Sequence, residues 1–236
     1  MSEDRALLLF DIDGTLVQKS AEAHKDAILE ALRRVYGVAD PGSHRVDAAG
    51  KTDQEIAREI LVAAGVHDAE IGARADEFRV AAVEEYSVRC PKDLSDRVAP
   101  GMGELLHYLA ERGDVLLSLV TGNLEPIARL KLKRAGLGEY FPRNQGAFGS
   151  DDEDRAALPA IARERAGSAN WPHPRERTWV IGDTPRDIAC ARADEVRVLA
   201  VATGPYRVED LAGADAVAAD AHALREVIDA ELERGW

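Results

Sequence analysis

Three short segments carry the side chains able to do chemistry together: "DIDGT" at 11–15, "TGN" at 121–123 and "GDTPRD" at 182–187. Asp11 and Asp13 stand one residue apart, directly after the apolar run Leu7 to Phe10, and Asp183 and Asp187 are spaced by one helical turn. Clustered carboxylates repel one another unless something positive sits among them. Hard cations such as Mg²⁺ take oxygen ligands, and Mg²⁺ typically uses one or two carboxylates plus substrate phosphate. Asp11 and Asp183 are therefore candidate charged ligands. Asp187 is placed to help directly or through water, and Asp13 to lend its backbone carbonyl while its side chain does other work. A lone DG, TGN or GDT is an ordinary turn. Three of them, each after an apolar strand, mark a site.

The elements that position these residues follow from periodicity. Leu7 to Phe10 reads as a buried strand, as do "VLLSLVTGN" (115–123), the first half of "TWVIGDTPRDIACARA" (178–193), "VRVLAVATG" (196–204) and "DAVAAD" (215–220); "GAFGS" (146–150) reads as a shorter one. Helical spacing runs from Ser20 to Tyr36, with Gly37 as its stop, then over Gln54 to Ala64 and Asp68 to Arg89. Further helices are predicted in "APGMGELLHYLAERG", "PIARLKLKRAGL", "LPAIARERAG" and "ALREVIDAEL", the last closing the chain. Strands alternating with helices imply a mostly parallel sheet. The expected fold class is α/β: a Rossmann-like three-layer core, residues 1–16 plus 98–236, with an inserted all-helical cap at 17–97. In a parallel sheet all strand ends point to one edge, where ligands of open α/β sheets bind. Asp11, Asp13, Thr121 and Asp183 are thus expected in one crevice.

Composition narrows the partners. The chain has 236 residues and a formal net charge of −13, a poor match for nucleic acid, which wants a basic footprint. An anionic substrate remains compatible, because a bound cation reverses the local field. The two cysteines, Cys90 and Cys190, form no metal-binding pattern. A reducing, cytoplasmic setting is expected. The apolar run near Leu7 is too short for a signal peptide, and none approaches the roughly 20 residues of a membrane helix.

With "DIDGT", "TGN", "GDTPRD" and the helical block after the first strand, the sequence resembles the haloacid dehalogenase superfamily, specifically its capped phosphatases. "GKTD" at 50–53 is similar to the cap loop of the phosphoglycolate-phosphatase-like branch. The resemblance implies an Mg²⁺-dependent phosphatase for a small phosphorylated metabolite, acting as a monomer or homodimer. Asp11 would be the nucleophile and Asp13 the general acid and then base, its carboxyl held near working pH. Mg²⁺ would be held by Asp11, Asp13, Asp183 and Asp187. Thr121, Gly122 and Asn123 would hold phosphate oxygens. A phosphomutase of the same fold and an inactive binding module are the alternatives. The second aspartate argues for phosphate chemistry over carbon–halogen cleavage.

The family expects a lysine between the second and third motifs. Between Asn144 and Thr178 there is none. Arg155 is the candidate substitute, and a guanidinium fork is not equivalent to a point charge. The competing reading pairs Arg155 only with Asp151 or Asp152. Lys131 and Lys133, mid-helix after the second motif, are expected to face solvent, as is His24. Lys51 is the cap residue expected to touch substrate, with His44 and Arg45 as weaker candidates, and Thr52 is expected to cap the following helix. Cys190 reads as a small core residue. Trp171, Trp179 and Trp236 read as core or surface anchors.

Overall fold

A computed structural model describes residues 5–168 and 170–234; Trp236 and the outer ends of the predicted core, 1–4 and 235–236, lie outside them. Strand β1 (Ala6–Phe10) has the sequence ALLLF and is buried throughout. Such an unbroken apolar run suits a central strand of a parallel sheet covered on both faces. It lies between β2 (Val115–Thr121) and β4 (Thr178–Gly182), with Phe10 in register with Leu119 on one side and Ile181 on the other. With β3 (Ala147–Phe148), β5 (Arg197–Val201) and β6 (Ala216–Ala218) the sheet has six parallel strands in the order β3-β2-β1-β4-β5-β6.

Alternate residues of the strands face opposite layers. Leu7, Leu9, Leu116, Val120, Val180 and Val198 pack with α7 (Leu158–Ala166) and α8 (Pro185–Ala193). Leu8, Phe10, Leu117, Leu119 and Ile181 face α5 (Met102–Ala110), α6 (Glu125–Arg134) and α9 (Ala221–Glu233). This is the three-layer α/β core. Trp179 is buried on the second face, whereas Trp171 is exposed.

Between β1 and β2 the chain makes four helices: α1 (Ala21–Tyr36), α2 (Asp53–Ala63), α3 (Asp68–Ala73) and α4 (Ala75–Arg89). The single helix predicted for Asp68 to Arg89 is broken at Arg74, two residues after Gly72, a poor helix former. The helix α1 buries Ala27, Ile28, Ala31, Leu32 and Val35, and α4 buries Phe78, Ala81, Ala82 and Tyr86, in the same apolar cluster as the α5–α6–α9 layer. As predicted, α1 stops at Gly37, whose φ of 70° is left-handed backbone that glycine takes without strain. The outgoing and returning connections run side by side: the Gln18 amide donates to Arg97 O at 2.7 Å and the Ala99 amide to Leu16 O at 2.9 Å.

Candidate active site

The site is built at the carboxyl edge of β1, β2 and β4. Asp11 continues β1, its amide donating to Ile181 O at 2.9 Å. Because β1 pairs with both β2 and β4 in parallel, the segments after all three strands open on the same crevice. Asp11, Asp183 and Asp187 each present a carboxylate oxygen within 4.8 Å of the others, and all three are buried. Gly14 explains the glycine of the first motif. Its φ is +90°, and an added Cβ would lie 2.2 Å from Asp183 Oδ2.

The carboxylates are sorted between two buried cations. Arg155 Nη2 lies 3.2 Å from Asp11 Oδ1 and bonds Asp187 Oδ1. It turns to the strand ends rather than to Asp151 or Asp152. The other oxygen of Asp187 accepts from the Thr184 amide (2.9 Å) and hydroxyl (2.7 Å), a capping box that starts α8. Asp183 Oδ1 accepts from the Thr15 hydroxyl at 2.9 Å. Its Oδ2 is buried with no hydrogen-bond partner among the described residues.

Lys131 overturns the expectation of a solvated side chain. It is fully buried, and its Nζ donates to Asp13 Oδ1 (2.7 Å) and Oδ2 (2.6 Å) and to Asn123 Oδ1 (2.7 Å), and sits 3.0 Å from His24 Nδ1. His24, also expected at the surface, is buried too. Its Nε2 is 3.1 Å from Asp53 Oδ2, which accepts from the Leu124 amide at 2.8 Å. A continuous polar chain thus runs from Asp13 through Lys131 and His24 to Asp53, and it crosses from the sheet edge to the helical insert. Both residues stand on stripes that sequence spacing displays. Lys131 lies among Ile127, Ala128 and Leu132, and His24 one turn before Ala27 and Ile28, so each belongs to its helix's buried face.

Electrostatics follow from this sorting. Burial pushes Asp11 up to about 7, against the pull of Arg155 and with the push of Asp187 and Asp13. Burial, then Asp187 and Asp11, push Asp183 up to about 8. Asp13 is half-buried, and Lys131, His24 and Asn123 outweigh its desolvation and hold it well below the usual carboxylate range. The expectation of an Asp13 carboxyl near working pH is therefore not met; the ammonium clasp keeps it ionised. Cys190 is buried with its thiol pushed up to about 12, as suits an inert core residue.

An all-oxygen donor set, an orphaned buried acceptor on Asp183 and an excess of carboxylates over cations fit a hard divalent ion. Asp13's side chain is engaged by Lys131 and stands outside that trio. Thr121 is buried at the end of β2 and its Oγ1 accepts from the Asn123 amide at 3.4 Å. At Gly122 a Cβ would meet Lys51 O at 2.2 Å, and the Asp53 amide donates to Gly122 O at 2.8 Å, so the backbone of the 50–53 loop lies directly on the second motif. Lys51 lines the cavity, yet its ammonium is taken by Glu59, with Glu55 3.7 Å away. Thr52 caps α2 as predicted, accepting from the Glu55 amide at 3.0 Å. His44 and Arg45 line the same cavity.

A family model of the haloacid dehalogenase-like hydrolases matches residues 8–192, and one of HAD-like hydrolases matches 155–230. The chain belongs to the haloacid dehalogenase-like hydrolases. Among solved structures, the fold of this chain is similar to that of a β-phosphoglucomutase from Clostridium difficile. The TM-score is 0.69 at 16% identity, over 98% of each chain. It is also similar to a predicted phosphatase from Clostridium acetobutylicum, with a TM-score of 0.68 at 19% identity, over 95% of this chain and 98% of that one. CbbY from Rhodobacter sphaeroides, solved with phosphate, gives 0.64 at 19% identity, over 92% and 95%. No curated protein sequence matches the chain significantly. Among the described residues no helix is long and apolar enough to cross a membrane.

The Lys131 clasp makes a direct prediction. Lys131→Met leaves a partly buried Asp13 carboxylate without its cation, so the variant should lose about 2–3 kcal/mol in urea unfolding at pH 7. Asp13 is depressed in the folded protein, so the clasp stabilises above the ordinary carboxylate pKa of about 4 and fades as pH falls below it. The gap between variant and wild type should accordingly narrow on acidification below about pH 4. A variant as stable as wild type at pH 7 contradicts the clasp.

Proposed function

We propose that the protein is an Mg²⁺-dependent phosphatase that hydrolyses a small phosphomonoester through an aspartyl-phosphate on Asp11, with the helical insert 17–97 acting as a cap over the core. The observation that supports it most is the division of labour at the strand ends. Asp11 lies beside Arg155 and Asp183, while Asp13, two residues on, is held apart by Lys131.

In this reading Asp11 attacks phosphorus and becomes transiently phosphorylated. Arg155, 3.2 Å from the nucleophile, supplies fixed positive charge where two anions must meet. Asp11, Asp183 and Asp187 would hold Mg²⁺. The ion, when bound, polarises a phosphoryl oxygen and screens the approach of nucleophile to phosphate. Thr121 and the amides after β2 hold the remaining phosphate oxygens, since phosphoryl transfer is mostly positioning and charge stabilisation. Asp13, ionised by its clasp, is a base ready to take a proton from the water that hydrolyses the intermediate. For the first step it must carry a proton to the leaving alcohol. An incoming phosphate dianion favours that proton by raising the pKa of a neighbouring carboxylate.

Similarity in fold to a β-phosphoglucomutase keeps a phosphomutase as the second reading. Release of inorganic phosphate in step with substrate loss supports hydrolysis; an isomeric phosphate ester without free phosphate supports the mutase.

Two outcomes test the proposal. Asp11→Asn should cut Mg²⁺-dependent phosphate release from p-nitrophenyl phosphate by more than about a thousandfold, with an unchanged circular dichroism spectrum. Wild-type rates in that variant contradict the nucleophile. Mg²⁺ binding should displace protons from Asp11 and Asp183, so affinity should strengthen from pH 6 to pH 9. Calorimetry in two buffers of different ionisation enthalpy should read on the order of one proton released near pH 7. Binding without proton release contradicts the assigned ligands.

A further inference from the structure

The catalytic carboxylates open into a cavity of about 850 Å³ that extends between the helical insert and the strand ends, within the size range of small-molecule sites. Beyond Asp11 and Asp13 its walls change character. Ile28 and Leu29 of α1, Val46 of the following loop, and Ile56 and Ile60 of α2 all line it. They form one apolar surface, contributed by two helices and a loop, facing the space that the alcohol portion of a phosphomonoester must occupy.

Apart from His44, the neutral polar side chains of the same cavity are already engaged inside the protein. Gln18 Nε2 donates to Thr203 O at 2.6 Å, and the Thr203 hydroxyl donates to Gly14 O at 2.8 Å. Asn123 is shared between Asp13 and Lys131, and the Thr184 hydroxyl is held by Asp187. Lys51 is occupied by Glu59. A sugar or polyol phosphate entering here would exchange water for Ile, Leu and Val side chains at several hydroxyls. Each hydroxyl left unpaired costs about tenfold in affinity. An alkyl or aryl group meets no such penalty and gains about threefold to fourfold for every methylene removed from water. Lys19, Lys25 and Arg45, the exposed cations of the lining, suit water or an anion better than a set of hydroxyls.

Resting on the phosphatase reading above, we infer that the leaving alcohol of the substrate is predominantly apolar, an alkyl or aryl alcohol rather than a polyol, and that the α1–α2 wall selects it. The reaction keeps the balance of any such hydrolysis. The P–O bond to the alcohol breaks, one from phosphorus to Asp11 forms, and water then releases inorganic phosphate, with the alcohol taking the proton.

The test compares butyl phosphate, hexyl phosphate and sorbitol 6-phosphate, whose leaving groups are all unactivated alcohols, with p-nitrophenyl phosphate as a control, all with Mg²⁺. The expected result is kcat/KM for hexyl phosphate at least about tenfold above sorbitol 6-phosphate and about tenfold above butyl phosphate, carried mainly by KM. Leu29→Asn should lower the hexyl-to-sorbitol ratio about fivefold or more; an unchanged ratio overturns the role of that wall. Sorbitol 6-phosphate turned over as well as hexyl phosphate, while p-nitrophenyl phosphate is hydrolysed, overturns the apolar selection and leaves the phosphatase reading standing. No phosphate release from any of the four overturns both.

Discussion

Four carboxylates packed at one sheet edge, with two fixed cations among them, set the terms for the rest of this molecule. Asp11, Asp13, Asp183 and Asp187 face Arg155 and Lys131, which leaves an excess of two negative charges, the amount that one divalent cation balances. Buried charge of one sign is costly unless paired. In the chain alone that cost shows in Asp11 and Asp183, both pushed well above the usual carboxylate range, and in the unpartnered Asp183 Oδ2. The parallel sheet supplies the constraint that brings these groups together. The helical layers on its two faces supply the burial that makes the charge imbalance costly.

The two cations divide the carboxylates by task. Arg155 spans Asp11 and Asp187, the second of which also starts α8 through Thr184, so the arginine is fixed by a side chain that cannot move without uncapping a helix. Lys131 takes Asp13 alone and reaches through His24 to Asp53 of the insert. The state of the insert is in this way written into the surroundings of Asp13. Loss of the Asp53 contacts with the second motif would free His24 and, with it, one side of the ammonium.

Much of this was legible in the sequence. The apolar run before Asp11 and those before Thr121 and Asp183 declare three buried strands, and parallel strands leave their carboxyl ends on one edge. The placement of Arg155 was legible too, because the segment before α7 offers an arginine and no lysine, and that arginine lies 3.2 Å from Asp11 Oδ1. Lys131 and His24 were misread for a physical reason. A charged residue in a helix defaults to solvent, and only a partner from a distant segment reverses that default. For Lys131 the partner is Asp13, 118 residues away, and for His24 it is Asp53. The stripes Ile127–Ala128–Lys131–Leu132 and His24–Ala27–Ile28 carried the signal, since a polar group on an apolar face must be satisfied or absent. The engagement of Lys51 by Glu59 and Glu55 was present in the spacing too, but nothing local decides between an ion pair with the helix that follows and a contact with substrate.

The most direct test of this division of charge is a crystal of the protein soaked in Mn²⁺ as a surrogate for Mg²⁺, with the ion located by its anomalous scattering. The account predicts a single strong peak among the carboxylate oxygens of Asp11, Asp183 and Asp187, with the Asp13 side chain still on Lys131. A peak bound by the Asp13 carboxylate in place of Lys131, or none at the strand ends at saturating ion, would contradict it.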